Sequence, residues 1–230
     1  MDDLKANELI TADVACCGGQ AMDAAACVSG KRRGRPRAFD CDAVLETVLE
    51  MFWEKGFAAT SLDDISAATG VSRPSLAGAF GDKQAIYIKA MERYQDNIKA
   101  QLDTVLTCNG CADSMRGIIN RYFDIMIRAY TGEAEHPLGC AFMCTALNEA
   151  PQHESILEML RGTIEGFDRR FEDFFTLAKE KGFLRPEADP KILTQIISGL
   201  TSTLLVRARA GASPDELKKI TDSTTAFLFA

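Results

Sequence analysis

The chain has no run of the ~20 apolar residues that a bilayer-spanning helix needs. Its nearest approach, Ile192 to Val206, is shorter and carries Thr, Ser and Gln, so no membrane partner is expected. It lacks a basic stretch followed by an apolar core at its start. It opens instead on Asp2 and Asp3, so no secretory leader is expected and the cytoplasm is the expected compartment. Histidine is scarce: His136 and His153 are the two present, and nothing around them has metal-ligand spacing. Both are expected on the surface, with no metal and no cofactor. An excess of positive charge is also missing. Lys and Arg number 26 against 33 Asp and Glu, for a net charge of -7 and a pI near 5.0. That excludes a general DNA-packaging protein, which would be basic overall. No alternating strand pattern of useful length occurs, so the fold is expected to be all-α.

What is present is a local contrast of charge. Residues 1–30 hold one Lys against five Asp or Glu, and residues 31–83 hold eight basic against eight acidic residues. Five of those eight basic residues fall within Lys31 to Arg37, KRRGRPR. Screening confines the influence of distant acids to roughly 8–10 Å, so such a cluster can still bind phosphate. Residues 1–30 show no periodicity and read as a disordered tail, with Met22 an alternative start. The remainder divides into a basic arm with a helical unit (31–83) and a longer helical body (84–230). With 47% apolar residues the chain can bury a sizeable core.

Apolar spacing predicts a first helix from about Asp40 to Lys55, with Asp40 or Asp42 as cap and Gly56 as stop. A second follows Thr60, with Thr60 or Ser61 supplying the cap oxygen and Leu62, Ile65 and Ala68 pointing inward. Gly70 ends it, Val71 plugs the turn, and Ser72 caps a third helix with Pro74 in its first turn. A long helix starts at Asp82 and ends near Leu106. Further helices are expected over 112–131, 138–149, 153–181, 190–210 and 214–228, punctuated by proline.

Two short helices around a tight turn, beside a basic arm, form a unit that can place one helix in the major groove of double-stranded DNA. Arg73 reads as a base contact through its bidentate match to guanine, or as a solvated helix charge. Pro74 reads as packing on a thymine methyl or as a first-turn proline. Ser72 and Ser75 open the second helix of the unit with polar groups. Thr60 and Lys83 read as phosphate contacts, or as a cap and a surface charge respectively. Arg35 and Arg37, within Gly34-Arg35-Pro36-Arg37, resemble the centre of an AT-hook, and a narrow A·T minor groove attracts such inserted arginines. The plainer reading is a flexible basic linker.

The order TS-x-x-DI-x-x-x-x-GVS-x-x-SL-x-x-x-F-x-x-K, preceded by FW-x-x-GF, resembles the TetR/AcrR family of bacterial one-component transcriptional regulators. The match covers about residues 35–90. The resemblance implies a repressor, a homodimer, an operator of two-fold character, and a small-molecule effector that binds the C-terminal helices and releases the operator. The family usually carries an aromatic at the position of Ala77, and often His or Tyr at that of Ala79. Those side chains touch the DNA backbone, so the arm and Lys83 are expected to carry more of the grip here.

In the body, apolar residues that could line an effector pocket are Phe123, Met126, Tyr130, Phe142, Met143, Phe167 and Phe171; ordinary core is the alternative for each. Eight cysteines in a cytosolic chain are mostly reduced thiols. Cys108 and Cys111 form a C-x-x-C in a loop, and Cys140 and Cys144 share one helical face, Cys140 at a helix start where a thiol pKa can fall. They support an alternative reading as a redox or electrophile sensor, and a weaker one as a helical thiol oxidoreductase. The oxidoreductase reading leaves the arm and the Gly70–Phe80 unit unexplained; no enzyme activity is expected. Dimerisation is expected on the last two helices, where Ile192, Ile196, Ile197, Leu200, Leu204 and Leu205 make an apolar face.

Overall fold

The structure, a computed structural model, describes residues 39–106, 114–132 and 139–229. The expected tail, the arm with Arg35 and Arg37, the Cys108/Cys111 pair and His136 lie outside the described residues. Among the described residues there are nine helices and no strand, and no helix is long and apolar enough to cross a membrane.

Helix α1 (Cys41–Ala59) starts where Asp40 accepts the amide protons of Asp42 and Ala43. It buries Val44, Leu45, Val48, Met51 and Phe52 along one face. Gly56 sits at φ 82° and breaks the regular geometry as expected, but a further turn continues to Ala59. That turn carries Phe57 into the core. Helix α2 (Leu62–Thr69) is held by a reciprocal cap: Ser61 Oγ accepts from Asp64 N, and Asp64 accepts from Ser61 N at 2.8 Å. Ile65 is buried, but Ala68 is exposed, contrary to expectation. An eight-residue helix has room to bury only a narrow stripe, and Ile65 occupies it. Helix α3 (Arg73–Phe80) and helix α4 (Lys83–Leu106) follow, and Asp82 caps α4 through Ala85 N at 2.8 Å.

The body adds α5 (Met115–Thr131), α6 (Ala141–Glu149), α7 (Glu154–Glu180), α8 (Pro190–Arg209) and α9 (Pro214–Leu228). The helix expected from 138 begins three residues later, because Gly139 takes φ 72° and Cys140 is the extended N-cap. Helix α4 joins the two halves. Its first turns pack Tyr87 between Phe52 and Phe57, with ring centroids 5.3 and 5.2 Å away. Further along, Tyr94 reaches Cys140, its hydroxyl 3.7 Å from Sγ. Helix α5 lies against α8 and α9, and α7 against α8. Each fully buried aromatic here contributes roughly 1.5–3 kcal/mol of transfer free energy.

Candidate nucleic-acid interface

The turn between α2 and α3 is fixed from three sides. Gly70 takes the left-handed conformation at φ 68°, where a side chain would be strained. Val71 buries its side chain, and Ser66 Oγ donates to its carbonyl at 2.7 Å. Thr69 Oγ1 donates to Ile65 O and accepts the Val71 amide. Leu76 and Phe80 then pin the inner face of α3 to the core, both nearly or fully buried. What remains outside is Ser72, Arg73, Pro74 and Ser75, followed by the small residues Ala77 and Gly78. A helix anchored on one side and open at its N-terminal turn suits entry into a major groove.

Ser72 holds the N-cap position but makes no side-chain cap, contrary to expectation. The cap oxygen would seek the amides of the second or third helical residue. The second is Pro74, which has no N–H, and the third, Ser75, donates its amide to the Ser72 carbonyl at 2.9 Å. The two hydroxyls of Ser72 and Ser75 therefore pair with each other at 2.9 Å on the exposed face. Arg73 extends from the same turn and donates through Nη1 to both carboxylate oxygens of Asp63, at 3.2 and 3.3 Å.

Thr60 and Lys83, read as phosphate contacts or as a cap and a surface charge, both bond within the chain. Thr60 is buried, and its hydroxyl donates to Gly56 O at 2.8 Å. It closes the broken end of α1. Lys83 is half-buried; its ammonium donates to Phe57 O at 2.9 Å and lies 4.2 Å from the centre of the Phe57 ring. His153, expected on the surface, packs edge-on against the other side of this knot. Its ring lies 5.2 Å from Phe57, and Nε2 is 3.6 Å from Glu149. Phe57 thus ties the DNA-facing unit to the α6–α7 corner. Its position one residue after a glycine gave no periodic signal. Phe39, the first described residue, lies against Phe80 with ring centroids 6.3 Å apart, so the described chain begins beside the end of α3.

In the body, Phe123, Met126, Tyr130, Phe142 and Phe171 are buried, and Met143 and Phe167 are half-buried. Tyr122, Phe167 and Phe171 pack on one another with centroids 4.8–6.1 Å apart. Open surface clefts of about 440 and 460 Å³ occur elsewhere. One lies beside Phe57 and His153, the other beside Phe183, Ile192 and Phe229, and none of the seven expected liners borders either. In this conformation those seven residues are core.

Of the thiols offered by the alternative sensor reading, Cys140 and Cys144 are among the described residues. Burial pushes the Cys140 thiol above its ordinary pKa, outweighing the bonds offered by the start of α6. Burial also raises Cys144, with Arg209 opposing it only in part. Both effects disfavour the thiolate that sensing chemistry uses. All four tyrosines are buried as well; Tyr87, bonded to Thr145, is pushed up to about 12 by burial. No group of three or more His, Cys, Asp or Glu among the described residues could hold a metal.

The apolar face expected of α8 divides in two. Ile197, Leu204 and Leu205 are buried within the chain and cannot meet a partner. Ile192, Ile196, Gly199, Thr203 and Val206 are exposed, spaced four, three, four and three residues apart.

Residues 44–90 match the family model described as bacterial regulatory proteins, tetR family. Residues 115–224 match that of the tetracyclin repressor-like C-terminal domain. The transcriptional repressor ComR of Escherichia coli K12 is 29% identical over 204 residues, spanning 89% of this chain and 95% of that protein. The fold is similar to that of a cysteine-substituted CifR, a TetR-family regulator solved with a 26-base-pair operator. The identity is 24%, the TM-score 0.75, and the match covers 84% of this chain and 98% of that one. It is also similar to the reduced form of Escherichia coli NemR, at 16% identity and a TM-score of 0.72, over 82% and 96% of the two chains.

Proposed function

The chain belongs to the tetR family of bacterial regulatory proteins and is a DNA-binding transcription regulator; from that premise we propose that it is a homodimeric cytoplasmic repressor released from its operator by a small molecule. The observation that carries this reading is the exposed first turn of α3. Ser72, Arg73, Pro74 and Ser75 face outward while Val71, Leu76 and Phe80 fix the helix behind them. In this reading Arg73 meets a base edge, Pro74 lies against the groove wall, and the paired hydroxyls of Ser72 and Ser75 open toward phosphate or base. Arg35 and Arg37 add minor-groove or phosphate contacts.

The proposed domain division places the DNA-binding unit at 31–83 and the effector-binding and dimerising body at 84–230. The stripe Ile192, Ile196, Gly199, Thr203 and Val206 has the spacing of a two-helix seam, and Gly199 has nothing within 4 Å of a built Cβ, leaving room for close approach. Two copies joined there would present two α3 helices to an operator of matching symmetry. A small molecule entering the body would open the Phe167–Phe171 packing and shift α4, and with it the knot at Phe57.

Footprinting on the DNA upstream of the chain's own gene tests this. Protection of two related half-sites with centres about one helical turn apart, or a multiple of it, is the expected result. A single unpaired site, or featureless coating of the DNA, would overturn the dimeric operator reading.

A further inference from the structure

We propose that Asp63 determines sequence specificity by positioning Arg73; this rests on the groove docking of α3 proposed above. Asp63 and Asp64 are adjacent acids in the first turn of α2 with separate tasks. Asp64 is taken by the cap, bonded to Ser61 N and Oγ at 2.8 and 2.6 Å. Asp63 points across the turn and, among the described residues, receives only Arg73 Nη1, on both of its oxygens. The pair is open to water, with side chains 59% and 74% exposed, so it adds little to stability. What it does is select one orientation of a long side chain.

The choice of atom decides what Arg73 can still do. A guanidinium has five N–H donors, and its side edge, Nε with Nη2, is a two-pronged fork. Among the described residues that edge donates to nothing, because Asp63 holds Nη1 alone. Guanine offers O6 and N7 to such a fork in the major groove. Arg73 can therefore contact a base while still held from behind. Without that hold, the same side chain can swing to a backbone phosphate, which carries no sequence information. The carboxylate adds a second effect. The first helix of a helix-turn-helix crosses the DNA backbone, so Asp63 repels phosphate wherever Arg73 is not seated, which weakens binding to unrelated sequences.

The test is a base-substitution panel on the footprinted operator, with random DNA as the second substrate. It uses wild type, Asp63→Asn, Asp63→Glu, Arg73→Ala, and the double variant Asp63→Asn/Arg73→Ala. Asp63→Asn should lower discrimination by about tenfold at the base pair that Arg73→Ala relaxes, and at no other. It should also tighten binding to random DNA and steepen the salt dependence by about one ion per subunit. The double variant should discriminate no worse than Arg73→Ala, since both act on one contact. Asp63→Glu keeps the charge but changes the reach; it should lose part of the discrimination without tightening random binding. If Asp63→Asn lowers the melting temperature, the Asp63→Glu result decides. Unchanged discrimination in both Asp63 variants would overturn the inference and leave Asp63 a repulsive surface charge. If Arg73→Ala relaxes no base pair, the docking itself is wrong and the inference falls with it.

Discussion

Thr60 and Ser61 are adjacent hydroxyls with opposite tasks: Thr60 turns inward to Gly56 O, and Ser61 caps α2. The sequence allowed either to be the cap, because both precede the first helical residue. What decides is Gly56. Its left-handed backbone exposes its carbonyl to a β-branched hydroxyl four residues on, and only Thr60 has that register. Ser61→Ala should destabilise the protein by about 0.5–2 kcal/mol, the usual cost of a lost cap, read as a fall in melting temperature. The same bonds hold the Asp64 carboxyl below its ordinary pKa. A lowered folded pKa gives stability that is present above the ordinary carboxylate range and is lost as pH falls through the folded value. Ser61→Ala should therefore also flatten the acid side of the stability profile, and an identical acid profile would count against the cap. Ala77 is exposed in the middle of α3, so Ala77→Tyr should fold normally and add a hydroxyl within reach of phosphate. Gel-shift titration should show a gain of roughly 0.5–1.5 kcal/mol per half-site; weaker binding with an unchanged melt would mean that docking requires a small residue there.

Many of the helices were legible in the sequence because they carry their own punctuation. Asp40, Ser61, Asp82, Asp189 and Ser213 all cap where a short polar residue precedes an apolar period. The turn of the DNA-facing unit was legible for the same reason. What joins the elements was not. Phe57, Lys83 and His153 are far apart in the chain, and no single window shows that they meet. The bond from Lys83 to the carbonyl at the broken end of α1 could not be read, because that neighbour in space has no sequence signal. Nor does periodicity separate a pocket from a core: Phe167 and Phe171 would recur at helical spacing in either. Lys83→Met keeps the apolar stem and removes the ammonium from Phe57. The expected cost is about 1.5–3 kcal/mol, the range for a hydrogen bond to a charged group, seen in chemical denaturation. DNA binding should weaken alike on operator and random sequences. A stable variant with altered base preference would show instead that Lys83 takes part in readout.

At the scale of the whole molecule, an acidic chain that binds DNA must concentrate its positive contacts. In the proposed reading the arm and the first turn of α3 do so, and the body supplies the surface that would pair two such units. Ile196→Glu places a charge in the middle of the exposed α8 stripe while leaving buried Ile197 and Leu204 untouched. Sedimentation should show a folded monomer, and operator affinity should fall steeply because one half-site contact is lost. A dimer that survives the substitution would move the interface elsewhere. In the proposed reading two α3 helices read bases through Arg73. The direct test is equilibrium binding of wild type and Arg73→Ala to the operator and to each of its single base-pair substitutions, at one fixed salt concentration. Arg73→Ala should lose discrimination at one base pair in each half-site, related by the operator's two-fold axis, at a cost of about 1–3 kcal/mol per half-site. Equal losses on operator and random DNA, or no loss on either, would contradict it.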